Sequence, residues 1–268
     1  MSKKLVIIKL GGSVITDKKT NKPIFKKEVV KRIAKEIKSA QSKADFDLIL
    51  VHGAGSFGHP SAKKYKLNEG YKDKTSALGV SLTKKTVLKL NLLVIETLQK
   101  EGFNAVLLES STLINNSNKK INDFNTDPVK DTFSLNMIPV LSGDVVSDKK
   151  LGISIVSGDT IVSYLAKELK AKTVIFASDV DGIFDKNPKT NNDAKLIKKI
   201  TSINFQRIID QMKAHNINDV TGEMEGKLMN IKEYLVNTDS IITNGLKPNN
   251  IENCLLNRVN GTRIILKK

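Results

Sequence analysis

Val51-His52-Gly53-Ala54-Gly55-Ser56-Phe57-Gly58-His59-Pro60 is the stretch on which the reading of the whole chain turns. It follows the apolar run Phe46 to Val51, which reads as a buried strand, and precedes Ser61-Ala62-Lys63-Lys64-Tyr65, which reads as the start of a helix. Gly53, Gly55 and Gly58 therefore occupy a strand-to-helix turn. In such a turn no Cβ keeps an anion from the backbone N–H groups, and the helix dipole favours negative charge. Pro60 suits a first helical position, and His59 then stands at the helix mouth, within reach of whatever the turn holds. A glycine-rich connection with a solvent-facing histidine reads the same way from this loop alone.

A second loop shifts the balance. Lys4-Leu5-Val6-Ile7-Ile8-Lys9-Leu10 is a short β-branched strand that runs into Gly11-Gly12-Ser13. Successive N–H groups in that turn form an anion nest, although the spacing of a Walker loop is absent. Lys9, before the glycines, and Lys18, after them, point charge at the same place. The segment from Lys27 to Ser42 is an amphipathic helix with Val29, Val30, Ile33, Ile37 and Ala40 on one face. Strand, helix and strand, with a glycine turn closing each strand, predict a parallel sheet whose ligands sit beyond the carboxyl ends of its strands.

Further along, Ser76 to Glu101 reads as a long helix, and most of its apolar residues Leu78, Leu82, Val87, Leu90, Leu93, Val94 and Leu98 belong to a core. Its small residues Gly79, Val80 and Thr83 leave space to wall a cavity. Ala105 to Leu108 reads as a strand, Asn115 to Asn118 as an exposed turn, Asp127 to Asn136 as a helix and Ile138 to Leu141 as a strand ending at Ser142-Gly143-Asp144. In the second half, Asp159 and Thr160 are placed to cap a helix through Ile161 to Leu169, and Thr173 to Ala177 is a buried strand. That strand empties into Ser178-Asp179-Val180-Asp181-Gly182-Ile183-Phe184-Asp185-Lys186-Asn187-Pro188. Its acceptors suit a ribose or a magnesium ion bound through water, as well as an ordinary Asp/Gly turn. Thr221-Gly222-Glu223-Met224-Glu225-Gly226-Lys227 leads into a helix from about Leu228 to Val236, with Lys227 a third candidate for a phosphate-facing lysine. Ser240 to Thr243 and Thr262 to Lys267 read as final strands around an Asn244-Gly245 turn.

Composition limits the alternatives. The 268 residues fit one α/β domain or two small lobes, and 40% are hydrophobic. No apolar run approaches a membrane span, and Leu5 to Ile8 is too short for a signal-peptide core, so a cytoplasmic protein without membrane contact is expected. A single cysteine, Cys254, excludes an intrachain disulfide. The net charge of +16 invites nucleic acid, but of 44 basic residues only Arg32, Arg207, Arg258 and Arg263 are arginine, and no aromatics interleave with the lysines. Solvated lysine faces explain the charge better, and no nucleic-acid partner is expected.

Taken together, Lys9 to Ser13, His52 to Ser56, Ser157-Gly158-Asp159, Asp179 to Phe184 and Thr221 to Lys227 resemble the amino acid kinase superfamily over nearly the whole chain. Within it, Ser13-Val14-Ile15-Thr16-Asp17-Lys18 and Ser56-Phe57-Gly58-His59 are similar to isopentenyl phosphate kinases, in which a histidine at the place of His59 binds the substrate's phosphate. The resemblance implies a three-layer αβα sandwich around an open, mainly parallel sheet. It also implies a homodimer, an acceptor lobe over about residues 1–150 and an ATP lobe over about 151–268.

The resemblance assigns roles as well. Isopentenyl phosphate lies on Gly53, Ala54 and Gly58, is held by His59 and by backbone near Gly143 and Asp144, and lays its tail against Val80 and Thr83. ATP is bound by Lys9, Leu10, Gly11, Gly12, Ser13, Gly55 and Asp159, by Asp179, Asp181, Gly182, Ile183, Phe184, Lys186 and Pro188, and by Gly222, Gly226 and Lys227. Catalysis rests on Lys9, Lys18, His59 and Lys227 together with Mg²⁺, whose direct ligands the sequence does not assign. Glu223 and Glu225 are out of place beside ATP unless they turn away or help hold metal. Two rivals stand beside this reading: a fosfomycin-type phosphonate kinase, which wants a wet lysine-rich pocket, and a nucleotide-sensing module whose basic surface engages nucleic acid.

Overall fold

The computed structural model describes residues 3–17, 22–186, 188, 190–214 and 223–267. Lys18, Thr221 and Gly222 lie outside the described residues.

An eight-stranded sheet forms the middle layer. In chain order its strands are β1 (Lys4–Leu10), β2 (Phe46–His52), β3 (Ala105–Leu107), β4 (Ile138–Ser142), β5 (Thr173–Ser178), β6 (Lys199–Thr201), β7 (Asp239–Asn244) and β8 (Gly261–Ile265). Across the sheet they run β6-β8-β7-β5-β1-β2-β4-β3. Every neighbouring pair is parallel except β7 with β8.

The central strands are apolar on both sides, as a sheet covered on both faces requires. Along β1, Val6, Ile8 and Leu10 enter one core and Ile7 the other. The first face is covered by helices α1 (Lys27–Gln41), α2 (Gly55–Lys64) and α3 (Lys74–Lys100), through Val30, Ile33, Phe57, Leu90 and Val94. The second carries α4 (Asp127–Ser134), α5 (Gly158–Glu168), α6 (Phe205–Ala214) and α7 (Glu223–Tyr234), through Val129, Ile161, Leu165, Ile208, Leu228 and Ile231. A last helix, α8 (Asn250–Leu255), returns to the first face with Ile251 and the buried Cys254. The expected three-layer αβα sandwich with a mainly parallel sheet is the observed fold.

Several local expectations are corrected. Asn115 to Asn118 is not an exposed turn: Ile114–Ser117 is a strand in a four-stranded second sheet with Lys120–Phe124, Asp144–Asp148 and Gly152–Val156. Asn116 is buried there and donates from Nδ2 to Ser154 Oγ at 2.9 Å, so a polar residue sits inside because its partner does. The turns of this sheet gather on Asp148, whose carboxylate accepts the backbone N–H groups of Asn118, Lys119, Lys150 and Leu151 at 2.8 to 3.0 Å. Leu78 is 52% exposed rather than core, because the face of α3 that packs inward begins with Ser76, Gly79 and Thr83. The chain turns at Gly245 after β7, as expected, and β7 and β8 pair antiparallel with α8 between them.

Candidate active site

The two glycine turns meet because β1 and β2 are paired in register, Lys9 beside Val51 and Leu10 beside His52. Both strands therefore end at the same level. A Cβ on Gly12 would lie 2.6 Å from the backbone N and Cα of Gly55, and one on Gly53 would lie 2.8 Å from Gly12 N, so only bare main chain fits. Thr16 joins the loops from beneath. Its Oγ1 donates to Gly12 O at 2.6 Å and accepts from Ser56 N at 3.0 Å, while Gly55 takes a left-handed φ of +50° above it. Helix α2 already begins at Gly55, so Pro60 is inside the helix rather than at its first position. His59 consequently lies on the helix flank instead of at its tip. The helix thus starts five residues before Pro60.

Lys9 points to the second face of the sheet. There its Nζ is 3.1 Å from Asp159 Oδ1, and Lys227 Nζ on α7 is 2.8 Å from each Asp159 oxygen. All three groups are largely withdrawn from solvent, the Lys9 and Lys227 side chains being 11% and 6% exposed. Burial alone would raise the Asp159 pKa. The adjacent Lys227 and Lys9 ammonium groups outweigh it and hold the carboxyl well below the usual carboxylate range. Asp159 is not the cap of α5: Ser157 Oγ accepts from Thr160 N at 3.0 Å and performs that task, which frees Asp159 for the lysines.

A cavity of about 150 Å³ opens in front of this cluster. Its lining includes Lys9, Gly12, Gly53, Ala54, Gly55, Gly58, His59, Gly143, Asp144, Ser157, Gly158 and Asp159. The apolar part of the lining comes from Ala62, Val87, Val145, Ile155 and Val156, with Thr83 beside them, and of these Ala62, Val145 and Ile155 pack in one cluster. His59 is exposed at the mouth yet lines the same space as the glycine turns. Thr83 is fixed by a 2.9 Å bond to Ser61 Oγ. Val80 packs one layer further out, against Ala62, Leu67 and Val145. Gly79 does not face the cavity; it admits Tyr65, whose Cβ would come within 2.3 Å of a Cβ at that position.

Three contributors carried no signal in the sequence. Lys84, one lysine among many on α3, reaches Asp144 Oδ2 at 3.0 Å and offsets that carboxylate at the cavity wall. Thr16 is indistinguishable from any strand threonine until the two loops are brought together. His52 is buried beneath the turn, its Nδ1 3.2 Å from Gly53 O, and burial pushes its imidazole down to about 4, so it is neutral at physiological pH. It therefore adds no charge toward an anion.

The remaining candidates lie apart. Ser13 and Leu10 stay on the first loop, where Ser13 O accepts Lys26 Nζ at 2.9 Å, and Gly11 N donates to Ala177 O at 2.9 Å. The loop after β5 folds over the sheet edge. Asp179 accepts from Ser178 Oγ at 3.4 Å, Gly182 clears Thr262, Ile183 is buried in the core, Phe184 bridges to Leu196, Lys186 pairs with Asp193, and Pro188 is exposed. Asp181 is engaged by Asn244 Nδ2 at 3.0 Å and Lys247 Nζ at 2.8 Å. Gly226 faces open space on α7, and Lys227 sits inside that helix rather than before it. None of these loop residues lines the cavity that holds Lys9 and His59. No helix among the described residues is long and apolar enough to cross a membrane.

Comparison with known proteins accounts for this arrangement. The amino acid kinase family model matches residues 4–244. The isopentenyl phosphate kinase of Methanocaldococcus jannaschii is 39% identical, across 97% of this chain and 98% of its own, and that of Methanothermobacter thermautotrophicus is 37% identical over the same shares. Among solved structures, one described as an X-ray structure of isopentenyl phosphate kinase superposes with a TM-score of 0.80 at 34% identity, across 97% of this chain and 99% of that one. By sequence, fold and site, this chain belongs to the amino acid kinase family and, within it, to the isopentenyl phosphate kinases.

Proposed function

We propose that the protein transfers the γ-phosphoryl group of ATP to isopentenyl phosphate, giving isopentenyl diphosphate and ADP for isoprenoid biosynthesis. The observation that carries this reading is a cavity whose lining joins Lys9, His59 and the bare amides of the glycine turns to the apolar cluster of Ala62, Val145 and Ile155. A phosphate with a short hydrocarbon tail matches both. A fosfomycin-type acceptor, small and polar, leaves the apolar cluster unused.

The acceptor phosphate rests on Gly53 to Gly55 with His59 donating to it, and the nucleotide's terminal phosphates lie over Gly11, Gly12 and Ser13. The backbone contact between Gly12 and Gly55 supports an end-to-end placement of the two groups. An acceptor phosphate oxygen is already nucleophilic at neutral pH, so the side chains neutralise charge and do not remove a proton. Lys9 and Lys227, aligned by Asp159, face the charge that builds on the transferred group, and Lys18, outside the described residues, is assigned the same task by the family resemblance.

Both carboxylates at the cavity are already tied to lysines, and no three acidic, histidine or cysteine side chains converge among the described residues. A magnesium ion would accordingly arrive with the nucleotide and supply charge neutralisation at its phosphates. The reading places acceptor binding in about residues 1–150 and nucleotide binding in about 151–268, in a cytoplasmic homodimer.

The test is an ADP-release assay on the purified protein with isopentenyl phosphate, dimethylallyl phosphate, fosfomycin and UMP as acceptors. Highest kcat/KM for isopentenyl phosphate is expected. A preference for fosfomycin or UMP, or no turnover of any acceptor, would sink the assignment.

A further inference from the structure

We propose that the protein carries a second anion site, for a diphosphate group, on the far side of the nucleotide loop. A cavity of about 490 Å³ lies at the edge where β6, β8 and the end of β7 meet. That volume is within the range of small-molecule sites. It shares no lining residue with the cavity that holds Lys9 and His59. Its Val259 packs with the first face of the sheet, the side of α1 and α8, whereas Lys9, Asp159 and Lys227 gather on the second.

The lining is unusual in its charge. Lys198, Lys199, Lys247 and Arg263 all border it, and among its lining residues Asp181 is the only carboxylate. Strand pairing sets Lys199 directly beside Arg263. Arg263 is held in place by Asp239, through bonds of 2.9 and 2.6 Å, and Lys247 by Asp181 at 2.8 Å. These two pairs leave the ammonium groups of Lys198 and Lys199 without an ion-pair partner among the described residues. The two lysines left over make the cavity a site for a multiply charged anion such as a diphosphate. Asn250 and Asn260 also border it, their amides tied to each other and to Asn244 O, and Leu196 and Val259 give the cavity an apolar flank on which an organic substituent of the anion can rest.

The test is calorimetric titration of the full-length protein with inorganic diphosphate, with ADP and isopentenyl diphosphate as parallel probes to tell a free anion from an organic one. Two classes of site are expected in the wild type. Lys9→Ala should keep the new one, while Lys198→Ser/Lys199→Ser should weaken it by about tenfold or more, corresponding to about 1.4 kcal/mol, with kcat in the absence of diphosphate unchanged. A Lys119→Ser/Lys120→Ser control, which removes the same charge elsewhere, should leave it intact. Asn260→Asp, which puts a carboxylate in the lining, should weaken it as well. Isotherms that superimpose for the wild type and Lys198→Ser/Lys199→Ser, an equal loss in the control, or a single class of site for all three probes would overturn the proposal.

Discussion

Lys227 Nζ lies 2.8 Å from both carboxylate oxygens of Asp159, and Lys9 Nζ approaches the same carboxylate at 3.1 Å. One buried anion thus holds two buried cations apart and aimed. Removing it leaves both uncompensated, a change that typically costs about 3–5 kcal/mol. Asp159→Asn is therefore expected to unfold at markedly lower denaturant, and ATP should restore more stability to it than to the wild type because phosphates replace the missing charge. Identical denaturation midpoints with and without the substitution would contradict this arrangement.

His59 faces the cavity from the flank of α2, where a phosphate would sit on the Gly53 to Gly55 turn. His59→Ala should lower kcat/KM for isopentenyl phosphate by an amount corresponding to about 2–4 kcal/mol, the usual loss when a preorganised donor to a developing charge is deleted. His59→Gln, which can still donate, should recover part of it. Steady-state kinetics of the two variants decide the point, and undiminished turnover in His59→Ala removes the role.

The Asp148 carboxylate ties two turns of the second sheet through four backbone N–H groups. Burial alone would raise its pKa, but those donors hold it well below its ordinary value of 3.8. A depressed folded-state pKa gives stability that is present above the unfolded value and is lost as pH falls through and below it. Asp148→Asn should therefore be less stable than wild type by about 1–3 kcal/mol at pH 7, with the gap narrowing as pH drops from about 4 toward 2. A gap that stays constant or widens on acidification would be inconsistent with this origin.

Ile155 and Val145 belong to the apolar part of the acceptor cavity's lining. Ile155→Ala should shift kcat/KM toward acceptor monophosphates with longer tails, at a stability cost below the roughly 2–5 kcal/mol usual for a fully buried aliphatic group, because Ile155 is only partly buried. Competition assays with acceptors of increasing chain length measure the shift, and an unchanged rank order would place the tail elsewhere.

What the chain reveals before folding is whatever its backbone encodes locally. Glycine turns after β-branched runs announce both loops and the parallel sheet, because bare amides beyond a strand have few other uses. Lys9 stands out through its position beside one of those turns. Thr16 and Lys84 do not, since their partners, Ser56 and Asp144, are distant in sequence and meet them only in the folded chain. Asp159 reads as a helix cap because the rule for caps is local, whereas the observed choice of Ser157 depends on two lysines from other elements claiming the aspartate. Asn116 reads as a turn for the same reason, its buried partner Ser154 being on a strand not adjacent in sequence.

The touching main chains of Gly12 and Gly55 have an evolutionary corollary. On the proposed reading, main chain and the Thr16 hydroxyl alone separate the donor and acceptor cradles, so their spacing is inherited from strand register and is insulated from drift at Thr83, Val87 or Ile155. New tails can thus be sampled by point mutation without re-solving the geometry of the reacting ends.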